Sequence, residues 1–121
     1  MPVIMVYGVP ENTTQMELEQ FATTLVTTIV GVEELRLTPK LVSVFFPPDR
    51  LKAGLGGEII VFVEGLFYAL DRTHSVKEQL ACLIVDKTCK LFPCATMVEC
   101  FVRTFCQEEE GCWGHHPPRL A

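Results

Sequence analysis

The sequence predicts a two-layer α/β protein of the α+β kind, in which four strands form one sheet and two helices cover one face of it. Three observations predict this class. Short β-branched runs alternate with longer segments in which apolar residues recur at helical spacing. The order strand, helix, strand occurs twice, and the two copies share a weak sequence repeat. We expect a single domain over 1–121, with pseudo-repeats at 1–57 and 58–116 and a tail at 117–121.

The first two predicted elements are a strand at 2–8 and a helix at 14–30. The strand is a short run rich in β-branched residues. In the helical segment, apolar residues return every three or four positions. Asn12 or Thr13 is expected to cap the start of this helix, and Gly31 is expected to end it.

The third predicted element is a strand at 41–46. Pro39 prevents the preceding helix from continuing, and Pro47 and Pro48 close the strand because proline cannot donate to a sheet ladder. A glycine-rich turn at 54–57 then separates the two units.

The second unit repeats the plan with a strand at 59–65, a helix at 75–91 and a strand at 97–105. Both strands are rich in Val, Ile and Phe, and the helical segment ends before Pro93. The loop that precedes the helix carries Arg72.

The repeat is also visible residue by residue. The first strand of each unit closes on a glycine, Gly8 or Gly65, and residues 19–22 of the first helix resemble residues 78–81 of the second. Two β-α-β units imply two parallel strand pairs with right-handed crossovers, which places both helices on one face. The strands are apolar on both faces, so we expect the uncovered face to be buried by self-association.

Composition narrows the class of protein. The formal net charge is −5, which argues against nucleic acid and anionic membrane as partners, since both attract clustered Lys and Arg. The sequence has no apolar run of membrane-spanning length and no basic segment of the signal-peptide kind at its start. We expect a soluble cytoplasmic protein that needs no cofactor.

The cysteines are expected to be structural. All six fall in the second half of the chain, and none forms a C-x-x-C pair of the kind that binds zinc. Cys82 and Cys89 lie seven residues apart, which predicts that both face the core from one side of a helix. We expect neither disulfides nor a metal site.

Pro2 is the first candidate functional residue. Removal of Met1 would leave the Pro2 nitrogen as a free secondary amine. A terminal amine titrates near pH 8 (about 7.7–8.0), and burial at the start of an apolar strand lowers its pKa toward neutrality. A base of that strength suits general acid–base chemistry. A proline that merely begins the chain is the alternative.

Several features together resemble the tautomerase superfamily, which includes 4-oxalocrotonate tautomerase, macrophage migration inhibitory factor and cis-3-chloroacrylic acid dehalogenase. These features are Pro2 at the start of a strand, the two tandem β-α-β units, and the sequence Gly54-Leu55-Gly56-Gly57-Glu58. The segment from Arg72 through Lys77, Glu78 and Leu80 also looks like the loop and helix start that carry the family's substrate-binding arginine. The resemblance covers residues 2–116.

The resemblance implies a tautomerase/MIF-like fold, a homotrimer with a central barrel, and a keto-enol tautomerase (isomerase) that uses the N-terminal proline Pro2 as its base. The substrate would be a small, enolisable, carboxylated compound. Arg72 falls on the family's loop-arginine position and would bind the substrate anion, with Asp71 pairing or helix capping as the alternative. Arg103 lies next to the position of a second family arginine, and Glu99 is its alternative partner.

The resemblance also places Trp113 in the wall of the active site, together with Phe45 or Phe67. Asn12 stands where the first unit would carry its loop arginine, which implies one active site per protomer.

The family's dehalogenases add a carboxylate and a tyrosine, and here Cys112 and Phe101 stand at those positions, which argues against dehalogenation. The acidic run Glu108, Glu109 and Glu110 is expected to be a solvated turn, and His115 and His116 are expected to be surface residues.

Two other functions stay open on sequence alone. In the first, the chain keeps the trimeric fold without catalysis and binds a metabolite or a protein partner. The second is a thiol-based activity at Cys106 or Cys112, which would require a partly exposed thiol beside Arg103 or a histidine.

Overall fold

The computed structural model describes residues 2–106 and 111–116. Within them, six main elements alternate in the predicted order: β1 (Val3–Tyr7), α1 (Gln15–Val30), β2 (Ser43–Phe45), β3 (Glu58–Phe67), α2 (His74–Leu91) and β4 (Met97–Phe105). Two short 3-10 turns, Glu33–Leu35 and Pro39–Leu41, connect α1 to β2. The expectations for Met1, for the acidic run and for the tail concern residues outside the described ranges.

The four strands form one mixed sheet in the order β2-β1-β3-β4. The pairs β1–β2 and β3–β4 are parallel, as the two β-α-β units require, and the units meet through the antiparallel pair β1–β3. Val3 lies opposite Ser43 on one side and Glu64 on the other. The predicted fold class is confirmed.

The strand directions define two ends of the sheet. The proline end comprises Pro2, the start of β2 and the ends of β3 and β4. The glycine end comprises Gly8, the end of β2 and the starts of β3 and β4. Both Gly8 (φ 88°) and Gly65 (φ 79°) have a left-handed backbone. Gly8 follows β1, but the expectation that the third strand closes on Gly65 was wrong, because β3 continues to Phe67 and Gly65 lies at its irregularity.

The core lies between the helices and one face of the sheet. The two helices bury apolar residues at i, i+4 and i+8, and alternate residues of β1 and β3 meet them. The fully buried core side chains include Ile4, Val6, Phe21, Leu25, Ile29, Ile59, Val61, Val63, Leu80 and Ile84. Burial of these residues supplies the main driving force for folding.

The other face of the sheet, here called the open face, is rich in exposed aromatic side chains. Tyr7, Phe45 and Phe101 are 37%, 56% and 49% exposed. Phe62 links the strands, since its ring lies 5.9 Å from that of Tyr7 and 5.4 Å from that of Phe101. A cluster of this kind is more typical of an interface than of a free surface.

The start of α1 corrects one expectation. Thr14 caps the helix, rather than Asn12 or Thr13. Its hydroxyl accepts the Glu17 amide at 3.1 Å, and the Glu17 carboxylate accepts the Thr14 amide at 3.2 Å, which forms a capping box. The residues before Thr14 belong instead to a turn in which the Thr13 amide donates to the Pro10 carbonyl.

The expectation that Cys82 and Cys89 pack in the core was wrong, because both are exposed. The buried stripe of α2 follows residues 76, 80, 84 and 88, and neither cysteine falls on it. The second strand is also shorter than predicted, because the 3-10 turn Pro39–Leu41 occupies the beginning of that segment. Among the described residues, no helix is both long and apolar enough to cross a bilayer.

Candidate active site

Pro2 is buried immediately before the first residue of β1. Its carbonyl oxygen accepts the Ser43 amide at 3.2 Å, which joins it to the neighbouring β2 strand. On the other side, β3 is irregular between Val63 and Leu66, opposite the beginning of β1. The irregularity bends β3 beside Pro2, so this residue is held between two strands at the proline end.

Arg72 lies at the proline end but is fastened to the backbone. Its guanidinium donates one hydrogen bond to the Phe67 carbonyl at 2.6 Å and one to the Leu35 carbonyl at 2.7 Å. Its Nε is buried without a hydrogen-bond partner among the described residues. Burial lowers the pKa of the Arg72 guanidinium from its ordinary value, and the nearby charge of Arg36 adds to the effect.

Arg72 neither pairs with Asp71 nor caps a helix, the two alternatives that its sequence position suggested. Asp71 pairs with Arg36, and Thr73 caps α2 through its side chain. Arg36 itself has a left-handed backbone (φ 51°) at the end of the first 3-10 turn. The Asp71–Arg36 pair and the Arg72 hydrogen bonds therefore join the loop before α2 to the segment after α1.

Arg103 forms an ion pair with Glu64, its neighbour on β3. Both Nε and a terminal nitrogen of Arg103 lie 3.2 Å from one carboxylate oxygen of Glu64. Glu99, the alternative partner in the sequence, lies about 13 Å away along the same strand at ~3.3 Å per residue. The Arg103 side chain is 71% exposed and that of Glu64 only 31%.

A depression of about 270 Å³ adjoins this ion pair, and its lining includes Glu64, Arg103, Thr104 and Phe105. It lies on the open face at the proline end. The arrangement offers an arginine whose charge is partly balanced by a carboxylate, next to an aromatic ring.

Trp113 belongs to an aromatic cluster at the same end. Its ring packs edge-on against Phe67, with centroids 4.9 Å apart, and His115 stacks on it at 5.1 Å. Phe67 also contacts Phe105 at 6.0 Å. Phe45 and Phe67 were the two candidates for the wall of the active site. Phe67 contacts Trp113, whereas Phe45 lies in β2 opposite Met5 of β1.

The structure thus brings Pro2, Arg72, Arg103 and Trp113 to one end of the sheet. The sequence analysis missed two residues there, Glu64 and Arg36. Strand alternation in the sequence places Glu64 on the open face, but its contact with Arg103 also depends on the register of β3 against β4. Arg36 has no readable signal, because its contact depends on a left-handed turn.

No group of three or more His, Cys, Asp or Glu side chains that could hold a metal ion occurs within the described ranges. His115 and His116 are both exposed, as expected.

Solved structures with the same fold include the following three. A fused 4-OT that forms an asymmetric trimer superposes with a TM-score of 0.71 at 11% identity, over 93% of this chain and 94% of that one. A member of the cis-3-chloroacrylic acid dehalogenase family gives 0.73 at 17% identity, over 96% and 83% of the two chains. Pt0534 inactivated by 2-oxo-3-pentynoate gives 0.63 at 12% identity, over 93% and 92%.

The tautomerase-superfamily fold with a fused repeat, suggested by the sequence resemblance, is therefore confirmed. Identities this low concern the fold alone. No protein-family model matches the sequence. A comparison with curated proteins likewise gives no match.

Proposed function

We propose that this protein is a keto-enol tautomerase that uses Pro2 as a general base on a small, enolisable, carboxylated compound. The observation that carries the proposal is the position of Pro2, buried at the start of β1, at the end of the sheet that also holds two arginines and an aromatic cluster. The fold shared with fused 4-OT structures supports it.

The proposed base is the Pro2 nitrogen, and it requires the removal of Met1. A free secondary amine keeps a lone pair that a peptide amide does not have. Burial disfavours the charged form of such an amine, so its pKa falls toward neutrality. The neutral amine would take a proton from the carbon next to the substrate carbonyl and return it at another carbon, converting between enol and keto forms.

Arg103 is the better placed of the two candidate anion-binding residues. Its side chain is 71% exposed, and its only described carboxylate partner is Glu64. An exposed pair of this kind contributes about 0–1 kcal/mol, so a substrate carboxylate or enolate can compete for the guanidinium. Arg72 has terminal N–H groups left over, but its two hydrogen bonds to carbonyl oxygens fix its orientation.

The aromatic cluster of Phe67, Phe105 and Trp113 would form the apolar wall of the site. An apolar wall keeps water from the Pro2 amine and strengthens the attraction between the arginines and a developing enolate. A flat, conjugated substrate would fit against such rings.

The proposal includes a homotrimer assembled through the open face. Tyr7, Phe62 and Phe101 form a continuous aromatic cluster, and exposed Phe45 lies on the same face. Apolar surface of this kind is costly to leave in water. The fused 4-OT structure that shares this fold is an asymmetric trimer, which supports this part of the proposal.

The test is an intact-mass measurement of the purified protein, followed by assays of phenylenolpyruvate and 2-hydroxymuconate ketonisation. We expect the mass of the chain without Met1, measurable turnover, and a loss of at least about 100-fold in kcat/KM in Pro2→Ala, since general-base catalysis contributes ~10²–10⁴-fold. Equal activity of Pro2→Ala and the parent would remove Pro2 from the mechanism.

A second candidate function has one observation in its favour. Both arginines at the proline end already have partners within the protomer. Arg103 forms an ion pair with Glu64, and Arg72 donates hydrogen bonds to two backbone carbonyl oxygens. A non-catalytic trimer that binds a metabolite or a protein partner would need neither arginine to be free. Protein that retains Met1 when purified from its own cell would support this function instead.

A further inference from the structure

A second cavity lies at the glycine end of the sheet, away from Pro2. It has a volume of about 330 Å³, is half open to solvent, and lies between the end of β1, the turn before α1 with the first turn of that helix, and the segment after β2. Its apolar lining includes Val6, Leu18, Phe46 and Pro47. The distance from Pro2 to Val6 along β1 is about 13 Å at ~3.3 Å per residue, so a small molecule bound here would not contact Pro2.

The walls of this cavity are fixed by packing and hydrogen bonds. Val6 belongs to the core, and the ring of Phe46 lies 5.7 Å from that of buried Phe21. Asp49 accepts the Gly8 amide at 3.2 Å, which ties the segment after β2 to the turn after β1. A largely preformed, mainly apolar cavity of this size is typical of small-molecule sites, which measure about 300–1,000 Å³.

The charge of the lining is negative. Glu11 and Asp49 both line the cavity, whereas no Lys, Arg or His among the described residues does so. The adjoining segment carries two basic residues, Arg50 and Lys52, and neither forms an ion pair with Asp49. Arg50 is exposed, and Lys52 donates to the carbonyl oxygens of Gly8 and Glu58. The Gly8 amide uses one carboxylate oxygen of Asp49, and the other remains available to a ligand.

We propose that this cavity binds a small organic cation, namely a protonated amine carried on an apolar body. The apolar residues would contact the body, and the carboxylates of Glu11 and Asp49 would pair with the ammonium group. The volume corresponds to about eleven waters at ~30 Å³ each, which leaves room for a small amine with one aromatic ring. This site is independent of the proposed proline chemistry.

The test is a ¹H–¹⁵N NMR titration of the full chain with three probes of one shape. They are protonated 2-phenylethylamine, neutral 2-phenylethanol and anionic 3-phenylpropionate. We expect the amine to cause saturating shifts of the amides of Val9, of residues 11–18, of Phe46 and of Asp49. Its affinity should be about two- to fivefold above that of the alcohol, since an exposed ion pair contributes up to ~1 kcal/mol. The anion should not perturb these amides.

Variants separate charge from shape. Asp49→Asn keeps an acceptor for the Gly8 amide but removes the charge, so it should weaken amine binding about fivefold and leave alcohol binding unchanged. Glu33→Gln is the matched control, because it removes one exposed carboxylate at the proline end. Thr13→Phe should fill the cavity and abolish the shifts caused by the amine.

Three results would overturn the proposal. They are the absence of saturating shifts at the amides named above with millimolar amine, equal affinities for amine and alcohol, and equal weakening by Asp49→Asn and Glu33→Gln. Ketonisation by the Pro2 site does not enter any of these readouts, so either proposal can fail without the other.

Discussion

Arg72 connects two loops through its side chain, and this makes its role testable by stability as well as by kinetics. Its guanidinium bonds the carbonyls of Phe67 and Leu35, which lie in segments that are far apart in sequence. Hydrogen bonds from charged groups contribute roughly 1.5–3 kcal/mol each when buried and less when solvent reaches them. The residue therefore stabilises the proline end whatever it does for a substrate.

We predict that Arg72→Ala lowers the free energy of unfolding by about 1–3 kcal/mol, because it leaves two carbonyl groups without their donor. Urea unfolding at one fixed protomer concentration measures this change. Arg50→Ala is the control, because Arg50 is an exposed arginine at the glycine end and its loss should change stability little. Unchanged stability in Arg72→Ala, with a raised KM for an enol acid, would instead assign Arg72 to substrate binding alone.

Cys100 carries a pH dependence whose sign follows from burial. Burial in the packing between β4 and α2, with a smaller contribution from Cys82, raises the pKa of the Cys100 thiol from 9.0 to about 12. The folded protein then keeps a proton that the unfolded chain loses above pH 9. The stabilisation from this group is complete below pH 9 and falls as the pH rises toward 12.

We predict that iodoacetamide at pH 8.5 alkylates exposed Cys82 and Cys89 in the native protein and leaves Cys100 unmodified until urea unfolds the chain. Peptide mass spectrometry after timed quenching measures the three rates in one sample. Alkylation of native Cys100 at the rate of Cys82 would contradict the burial assigned to it.

At the scale of elements, the pairing of β3 with β4 determines how strongly Arg103 can bind an anion. Glu64 and Arg103 lie side by side on the open face. The Glu64 carboxylate accepts hydrogen bonds from the Arg103 guanidinium and so competes with a substrate anion for it. Removing the charge of Glu64 should therefore make Arg103 more available.

We predict that Glu64→Gln lowers KM for a carboxylated enol substrate about two- to fivefold, in line with the ~0–1 kcal/mol of an exposed pair, and that Arg103→Ala raises it. Steady-state ketonisation kinetics measure both effects. Glu99→Gln is the control, since Glu99 lies on β4 like Arg103 but does not pair with it. The substitution removes a carboxylate and leaves the Arg103–Glu64 ion pair intact. Equal KM values in Glu64→Gln and the parent would show that Arg103 does not bind the substrate carboxylate.

The elements also show how far sequence reasoning extends. The strand β4 was predicted at its observed bounds, and both helices within one residue at each end, because apolar periodicity and the flanking Gly and Pro residues are local signals. Cys82 and Cys89 were placed on the wrong side of α2, because a spacing of seven does not say which stripe of a helix is buried.

The contacts of the candidate site were harder to predict than its elements. Arg36 reaches Asp71 only because its backbone is left-handed, and the partner of Arg103 depends on strand register, which sets Glu64 beside it. Both depend on tertiary geometry rather than on local sequence. The gathering of Pro2, Arg72 and Trp113 at one end follows from the order of the strands once the two units are joined antiparallel.

At the scale of the whole molecule, we propose that other subunits cover the open face. Its aromatic residues come from all four strands, and the helices cover only the opposite side. A charged residue at the centre of such a surface would oppose association at little cost to the protomer, because the position is exposed there.

We predict a trimer in light scattering or sedimentation for the parent protein, and a shift to monomer in Phe101→Glu, whose native ring is 49% exposed in the protomer. Tyr68→Glu is the matched control, because Tyr68 is an exposed aromatic residue beyond the end of β3. A clean monomer for the parent protein would contradict the assignment of the open face.

The central claim is that the Pro2 nitrogen is a free amine that is neutral at working pH. ¹⁵N NMR of protein labelled at its eight prolines tests it directly, because only a free amine nitrogen titrates. We expect one proline nitrogen to titrate with a pKa below the ~8 of an ordinary terminal amine, and to disappear from the spectrum in Pro2→Ala. Absence of any titrating proline nitrogen between pH 5 and 10 would show that Pro2 is an amide and not a base.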